Sequence, residues 1–199
     1  MSGGPPPLPS WAQSKPRGGG PPAPESPLDR QFAAFIGPRW ETYRRKFAPF
    51  FEEPRFQPTW NWSAALLWPM WFFYRRLYVL GIGFAFLPSI GFGLLWKGAP
   101  PAIGPDGKVI VDPDAVAVIA GILLSTSILS GGTANWLLYR RAVTAFRVVQ
   151  MQALDEPRGL AFLARIGRVS WIAVSMAIIG LALLNRLGMA AMSALGGKP

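Results

Sequence analysis

Three long stretches of this chain carry no Asp, Glu, Lys or Arg: Leu77 to Trp96 (20 residues), Ala115 to Tyr139 (25) and Val169 to Asn185 (17). A helix needs about 20 apolar residues to cross a bilayer. The first stretch meets that length, and the second exceeds it, which a tilted helix accommodates. The third falls short, but Arg186 can snorkel and Leu187 to Leu195 is again uncharged, so a span reaching about residue 190 is expected. With 51% hydrophobic and 15% charged residues among 199, the composition is unusual for a soluble domain of this size. The expected fold class is an all-α integral membrane protein, with three transmembrane helices (about 77–96, 115–139 and 169–190) forming residues 77–199.

The first 28 residues are a different regime, with nine Pro and five Gly. They lack the apolar stretch of a signal peptide. They cannot bury enough surface to offset their ordering entropy, so residues 1–28 are expected to be a disordered cytoplasmic tail with polyproline II character. Pro6-Pro7-Leu8-Pro9 can dock on an aromatic groove. A solubilising tail is the simpler role.

Residues 29–76 are expected to form amphipathic and aromatic interfacial helices. Pro38 suits a first helical position, with Gly37 before it as a cap. Trp40, Tyr43, Phe47 and Phe50 then recur at spacings of 3, 4 and 3, and Arg39, Arg44, Arg45 and Lys46 lie largely off that stripe. Glu41 can pair with Arg45 one turn on. The helix should fray near Ala48, because Pro49 disfavours helix at the preceding residue. Such a helix either lies in plane on anionic lipid or packs its stripe on protein. The apolar spans that follow favour lipid, which places Trp40, Tyr43, Arg44, Arg45, Lys46 and Phe47 at the head groups.

Phe56 to Tyr74 is a further uncharged run of 19 residues, broken by Pro58 and Pro69. Arg75-Arg76 leads at once into the first span, and Tyr74-Arg75-Arg76-Leu77-Tyr78 offers no turn residues to join two spanning helices. Trp enrichment marks the head-group layer. The run therefore reads as an interfacial or re-entrant helix that does not cross, with Trp60, Trp62, Trp68, Trp71, Tyr74, Arg75 and Arg76 at the interface. Trp71 to Arg76 is echoed by Trp136 to Arg141, so Tyr139, Arg140 and Arg141 are expected to form a second part of the same aromatic–basic girdle.

Lys and Arg sort by side. Ten precede the first span, two lie in residues 97–114, six in 140–168 and two after Asn185. Sixteen of the twenty fall where a cytoplasmic N-terminus and a periplasmic C-terminus would put them. The net charge of +10 is thus a topology signal, and nucleic acid is not an expected partner. In the outer loop, Gly104-Pro105-Asp106-Gly107 reads as a turn, Val109-Ile110-Val111 suits a short strand, and Asp112 or Asp114 can cap the second span.

The chain has no His and no Cys. Imidazole bases, thiolate nucleophiles, disulfides, zinc-thiolate and ordinary haem sites are therefore excluded, and no metal or other cofactor is expected. Glu52-Glu53 and Asp155-Glu156 are adjacent acids in charged stretches, which suits a solvated face better than paired acid–base chemistry. No phosphate-binding loop or dinucleotide fingerprint occurs. The second span holds Ser125, Thr126, Ser127, Ser130, Thr133 and Asn135. They either line a substrate path or serve helix packing. Gly121 with Ser125, and Gly131-Gly132 with Asn135, favour packing.

Phe35-Ile36-Gly37 with Tyr43 and Phe47, then Trp60-Asn61-Trp62-Ser63-Ala64-Ala65, Trp68-Pro69, Trp71, Tyr74-Arg75-Arg76 and Tyr78, resemble an uncharacterised bacterial inner-membrane family. Its members carry a domain of unknown function with a hallmark of the form F-N-W-x-A…G-P-x-W…Y-R-K-M-Y. Ala134-Asn135-x-x-x-Tyr139 resembles that family's second motif, and the likeness covers about residues 32–170. Trp60 stands for the usual Phe, and Trp68 for the Gly before Pro69. The resemblance implies a small helical protein of the bacterial inner membrane and no activity. The expected function is a non-catalytic accessory, assembly or structural subunit, with anionic lipids and either other membrane subunits or further copies of itself as partners. An oligomeric transport component and a membrane-surface adaptor are the alternatives.

Overall fold

The computed structural model describes residues 26–95, 102–103, 109–110 and 113–196. Residues 1–25 of the expected tail, the Gly104–Gly107 turn and Asp112 lie outside them. In chain order the elements are α1 (Pro27–Ile36), α2 (Trp40–Glu52), α3 (Trp62–Leu67), α4 (Met70–Tyr74), α5 (Tyr78–Leu95), β1 (Ala102–Ile103), β2 (Val109–Ile110), α6 (Pro113–Met151), α7 (Glu156–Gly167) and α8 (Trp171–Gly196). Among the described residues the regular structure is helical apart from one small antiparallel ribbon, in which Ala102 faces Ile110 and Ile103 faces Val109. These elements divide into two compact units, residues 26–62 with 129–168 and residues 63–128 with 169–196.

The first unit begins inside the expected tail. Ser26 caps α1 by accepting a hydrogen bond from the Asp29 amide at 3.1 Å, and Pro27 takes the first helical position, where its missing N–H costs nothing. Residues 26–28, expected within the tail, are therefore part of this helix start. Gly37 ends this helix and does not start the next. It sits at φ +80°, ψ −152°, a conformation open to Gly, and its N–H donates to the Ala33 carbonyl at 2.9 Å. Helix α2 follows from Trp40 and runs through Pro49 to Glu52, so the expected fraying at Ala48 does not occur. The physical reason is burial beyond the proline: Phe50 and Phe51 are enclosed, which holds the last turn in place.

That enclosure corrects the lipid reading of the α2 stripe. Trp40, Tyr43 and Phe47 are all buried within the unit. Phe32 of α1 stacks on Trp40 with ring centroids 5.1 Å apart, and meets Phe51 at 5.2 Å and Phe146 of α6 at 4.7 Å edge to face. Phe47 and Phe50 reach Tyr139 at 5.6 and 5.2 Å. An amphipathic helix with an aromatic stripe satisfies itself equally on lipid or on protein. Here α1 and the C-terminal part of α6 supply the protein. Arg45 stays exposed, while Arg44 and Lys46 are half-buried on the flank.

The region 140–168, which holds six of the basic residues between the second and third expected spans, is mostly helix. Helix α6 continues past Arg140-Arg141 to Met151, giving 39 residues in all. Ala153, at φ +47°, turns the chain, and Asp155 caps α7 by accepting from the Arg158 amide at 3.2 Å. Glu156 pairs with Arg30 at 2.8 Å, but both are well exposed, so the pair adds little stability. The acids expected as a merely solvated face thus set a helix start and a surface contact. Helix α7 packs on α1 so closely that a Cβ on Gly167 would overlap the Phe35 backbone carbonyl.

In the second unit, α3 and α4 have six and five residues, far short of the about 20 needed to cross a bilayer. Helix α4 passes directly into α5 through Arg76, which takes φ +56°; the Leu77 amide donates to the Phe72 carbonyl at 2.8 Å across this turn. A non-glycine residue in the left-handed region supplies the turn that residue types did not advertise. Phe72 stacks on Phe84 of α5 at 4.6 Å, and Gly81 gives Phe73 room beside α5. On the other side, the Ser170 amide donates to the Tyr74 carbonyl at 2.9 Å and Trp171 of α8 meets the Tyr74 ring at 4.9 Å.

Among the described residues, two helical stretches are long and apolar enough to cross a membrane: Pro113–Met151, and Glu156–Leu184, which takes in α7 and continues into α8. The apolar stretch Tyr78–Pro88 of α5 is shorter, and Pro88 lies inside that helix.

The glycines give a test of this packing. Gly167→Ala is expected to cost about 2–3 kcal/mol, because backbone must move to admit the methyl group. Gly132→Ala has nothing within 4 Å of the added Cβ and should leave stability unchanged or slightly raised. Urea unfolding in detergent micelles, followed by tryptophan fluorescence, separates the two outcomes.

Candidate functional site

The polar centre of the first unit is a pair of asparagines that meet across 74 positions of sequence. Both are buried: Asn135 on α6 at 0% exposure and Asn61 at 2%. The Asn61 side-chain amide donates to Asn135 Oδ1 at 2.9 Å, and the Asn61 backbone N–H donates to the Gly131 carbonyl at 3.0 Å. Asn135 Nδ2 donates to Thr59 Oγ1 at 3.0 Å, to the Thr59 carbonyl at 3.1 Å and more weakly to the Trp60 carbonyl at 3.4 Å. One turn of α6 thereby supplies hydrogen bonds to a stretch of chain that has no helix or strand of its own. Buried polar groups of this kind must be satisfied, and the junction satisfies them.

The packing residues expected on α6 divide accordingly. Gly131 and Asn135 carry the junction. Gly132 has open space around its Cβ position, and Gly121 and Ser125 are exposed within this chain. Hydroxyls near them bond locally or to a neighbouring tryptophan. Thr126 donates to the Ile122 carbonyl at 2.8 Å, Thr133 to the Leu129 carbonyl at 2.6 Å, and Ser127 Oγ accepts from Trp68 Nε1 at 3.0 Å. Thr59 escaped the sequence reading, and Asn61 entered it only as part of the family motif; the available signal was two polar residues flanking Trp60 in an uncharged run.

The expected girdle separates into internal and outward members. Tyr139 is half-buried among Phe47, Phe50 and Trp136, and its hydroxyl lies 3.4 Å from the Phe50 carbonyl. Arg141 donates to the Ile166 carbonyl at 3.3 Å, whereas Arg140 is exposed. Trp71 and Arg75 are buried, Arg75 lies 5.9 Å from the Tyr74 ring centroid, and Tyr74, Arg76 and Trp68 are half-buried. The outward aromatics are Trp60 and Trp62, edge to face at 5.3 Å, with Trp62 67% exposed.

One buried acid also escaped the sequence reading. The Asp29 side chain is 4% exposed and lies 3.4 Å from Arg44. Burial raises its carboxyl above the ordinary value of 3.8, opposed by the Arg44 charge, the Ser26 hydrogen bonds and Trp40. The folded chain therefore holds the Asp29 proton more tightly than the unfolded chain does. This contribution to stability is complete below pH 3.8 and is lost as pH rises through the raised folded value. Asp29→Asn is expected to flatten the pH dependence of stability over the range from pH 3.8 upward to neutral pH, without loss at pH 7 beyond that of a partly exposed ion pair. Unfolding midpoints measured across that range check this.

An open cleft of about 500 Å³ lies where α1, the end of α6 and α7 meet, lined among others by Gln31, Gln150, Asp155 and apolar side chains. Among the described residues no group of three or more His, Cys, Asp or Glu stands together. What the arrangement does is mechanical: it ties an irregular segment to a long apolar helix. Asn135→Leu removes both the acceptor for Asn61 and the donor to Thr59, and is expected to cost about 2–4 kcal/mol. Replacing both asparagines by Leu should cost less than the sum of the single changes, which a double-mutant cycle in micelles reads directly.

No curated protein and no solved structure matches the chain. The α2 stripe from Trp40, the Asn61–Asn135 junction and the Tyr139–Arg141 girdle all fall within residues 39–143, the part matched by the family described as "Protein of unknown function (DUF2628)"; this match covers more than half of the chain, and the protein belongs to that family.

Proposed function

We propose that this chain is a non-catalytic accessory, assembly or structural subunit of a larger complex in the bacterial inner membrane. It crosses the bilayer three times, near residues 77–96, 115–139 and 169–190, with its N-terminus in the cytoplasm and its C-terminus in the periplasm. The observation that carries the reading is a contrast in burial. None of the most apolar part of Glu156–Leu184 is buried within the chain, and little of that in Pro113–Met151. Ile172, Met176, Ile179 and Leu183 of α8 all face outward. The hydroxyls of Thr126 and Thr133 and the amide of Asn135 are meanwhile engaged in internal hydrogen bonds. Apolar surface on this scale calls for lipid and partner helices.

The distribution of Lys and Arg supports the orientation. A permeation role draws no support from the polar residues of α6, since those with bonded side chains use them on their own helix or on neighbouring residues of the chain. Extraction of the full chain in mild detergent, followed by mass spectrometry of the intact assembly, tests the proposal. Recovery with other membrane subunits in fixed ratio is expected. Recovery only as a lone monomer would overturn it.

A further inference from the structure

We infer that residues 56–67 form a lipid-embedded wedge, re-entering the cytoplasmic leaflet instead of lying on it, with Asn135 as the positioning residue. This rests on the membrane reading above. Asn135 and Gly131 precede Arg140 by five and nine residues on one continuous helix. At 1.5 Å per residue they lie about 7 and 13 Å along the axis from the basic pair that marks the cytoplasmic interface. A hydrocarbon core of about 30 Å puts that level within the cytoplasmic half of the bilayer.

Irregular backbone is tolerated at such depth only where protein satisfies its polar groups. The junction does so: Asn135 and Gly131 together bond the Thr59 carbonyl and hydroxyl, the Trp60 carbonyl and both amides of Asn61. A segment resting in the aqueous head-group layer would need no such arrangement, because water would serve. The same stretch turns its apolar side chains outward. Phe56, Trp60, Trp62, Leu66 and Leu67 are all exposed, Leu66 at 74%. No Asp, Glu, Lys or Arg occurs between Arg55 and Arg75, so the run is bracketed by cations suited to anionic head groups. Exposed Ile128 and Leu129 stand beside Gly131 on α6, so the environment at this level is already apolar. Acyl chains are the occupant that fits.

The absence of Cys makes the test clean. Trp62→Cys and Leu66→Cys carry a nitroxide label in the full chain, reconstituted in phosphatidylethanolamine–phosphatidylglycerol vesicles. Glu52→Cys serves as an aqueous control and Leu183→Cys as a span control. Power saturation with oxygen and a nickel chelate reads the surroundings. The wedge predicts oxygen-to-nickel accessibility ratios at 62 and 66 within a factor of about two of Leu183→Cys, and well above Glu52→Cys. Adding Asn135→Leu should shift the 66 label toward the aqueous value while leaving the 183 label unchanged. Labels at 62 and 66 that report water, or that exclude both reagents as a protein contact would, overturn the wedge while a lipid-exposed 183 label preserves the membrane reading. A water-exposed 183 label overturns both.

Discussion

The hydrogen bonds from one side chain, Asn135, determine where an entire irregular segment can go. A polar backbone packed against a long apolar helix is unfavourable unless each N–H and C=O finds a partner, since an unmade buried hydrogen bond costs more than a made one returns. Asn135 offers a donor and an acceptor from the same amide, and Gly131, one turn earlier, offers a carbonyl that Asn61 can approach. The rest of the first unit is compatible with this arrangement because, apart from Asp29 and Ser130, its remaining core is apolar and aromatic. Phe32, Phe47 and Phe50 make no polar demands, so the junction and the ring cluster coexist without competing for partners.

The aromatic cluster and the exposed helices divide the chain's apolar content into two kinds. Rings from α1, α2 and α6 interlock edge to face and stacked at 4.7–6 Å, which is the geometry in which aromatic pairs gain beyond simple burial. The long apolar helices instead leave most of their surface uncovered by the chain itself. In a chain of 199 residues both are read from composition as one number, 51% hydrophobic, yet they answer different requirements. The first holds a bundle together, and the second needs surroundings the chain does not supply.

Much of the architecture was legible because it depends on local rules. The uncharged runs at Leu77, Ala115 and Val169 announce long apolar helices, and the prolines at 58 and 69 announce that the run between Phe56 and Tyr74 is broken. Ser26-Pro27 with Asp29 is a helix start of equal clarity, obscured by the Pro-rich composition before it. Arg76 and Ala153 were not legible as turns, because the left-handed conformation at a residue with a Cβ is imposed by the helices on either side. Pro49 was misleading for the opposite reason: the local penalty exists, but buried rings beyond it outweigh it.

The sequence by itself determined that this chain is helical, that long apolar segments alternate with basic ones, and that it lacks the side chains for imidazole or thiolate chemistry. Those are properties of composition and periodicity, which need no partner to be defined. Tertiary structure alone decided which face meets what. The stripe of Trp40, Tyr43 and Phe47 has the same spacing whether it rests on lipid or on Phe32 and Tyr139, and only the folded chain distinguishes them. Asn61 and Asn135 are likewise two isolated amides until the fold closes the 74 positions between them. Periodicity specifies the face of a helix; the neighbour that covers it is a property of three dimensions.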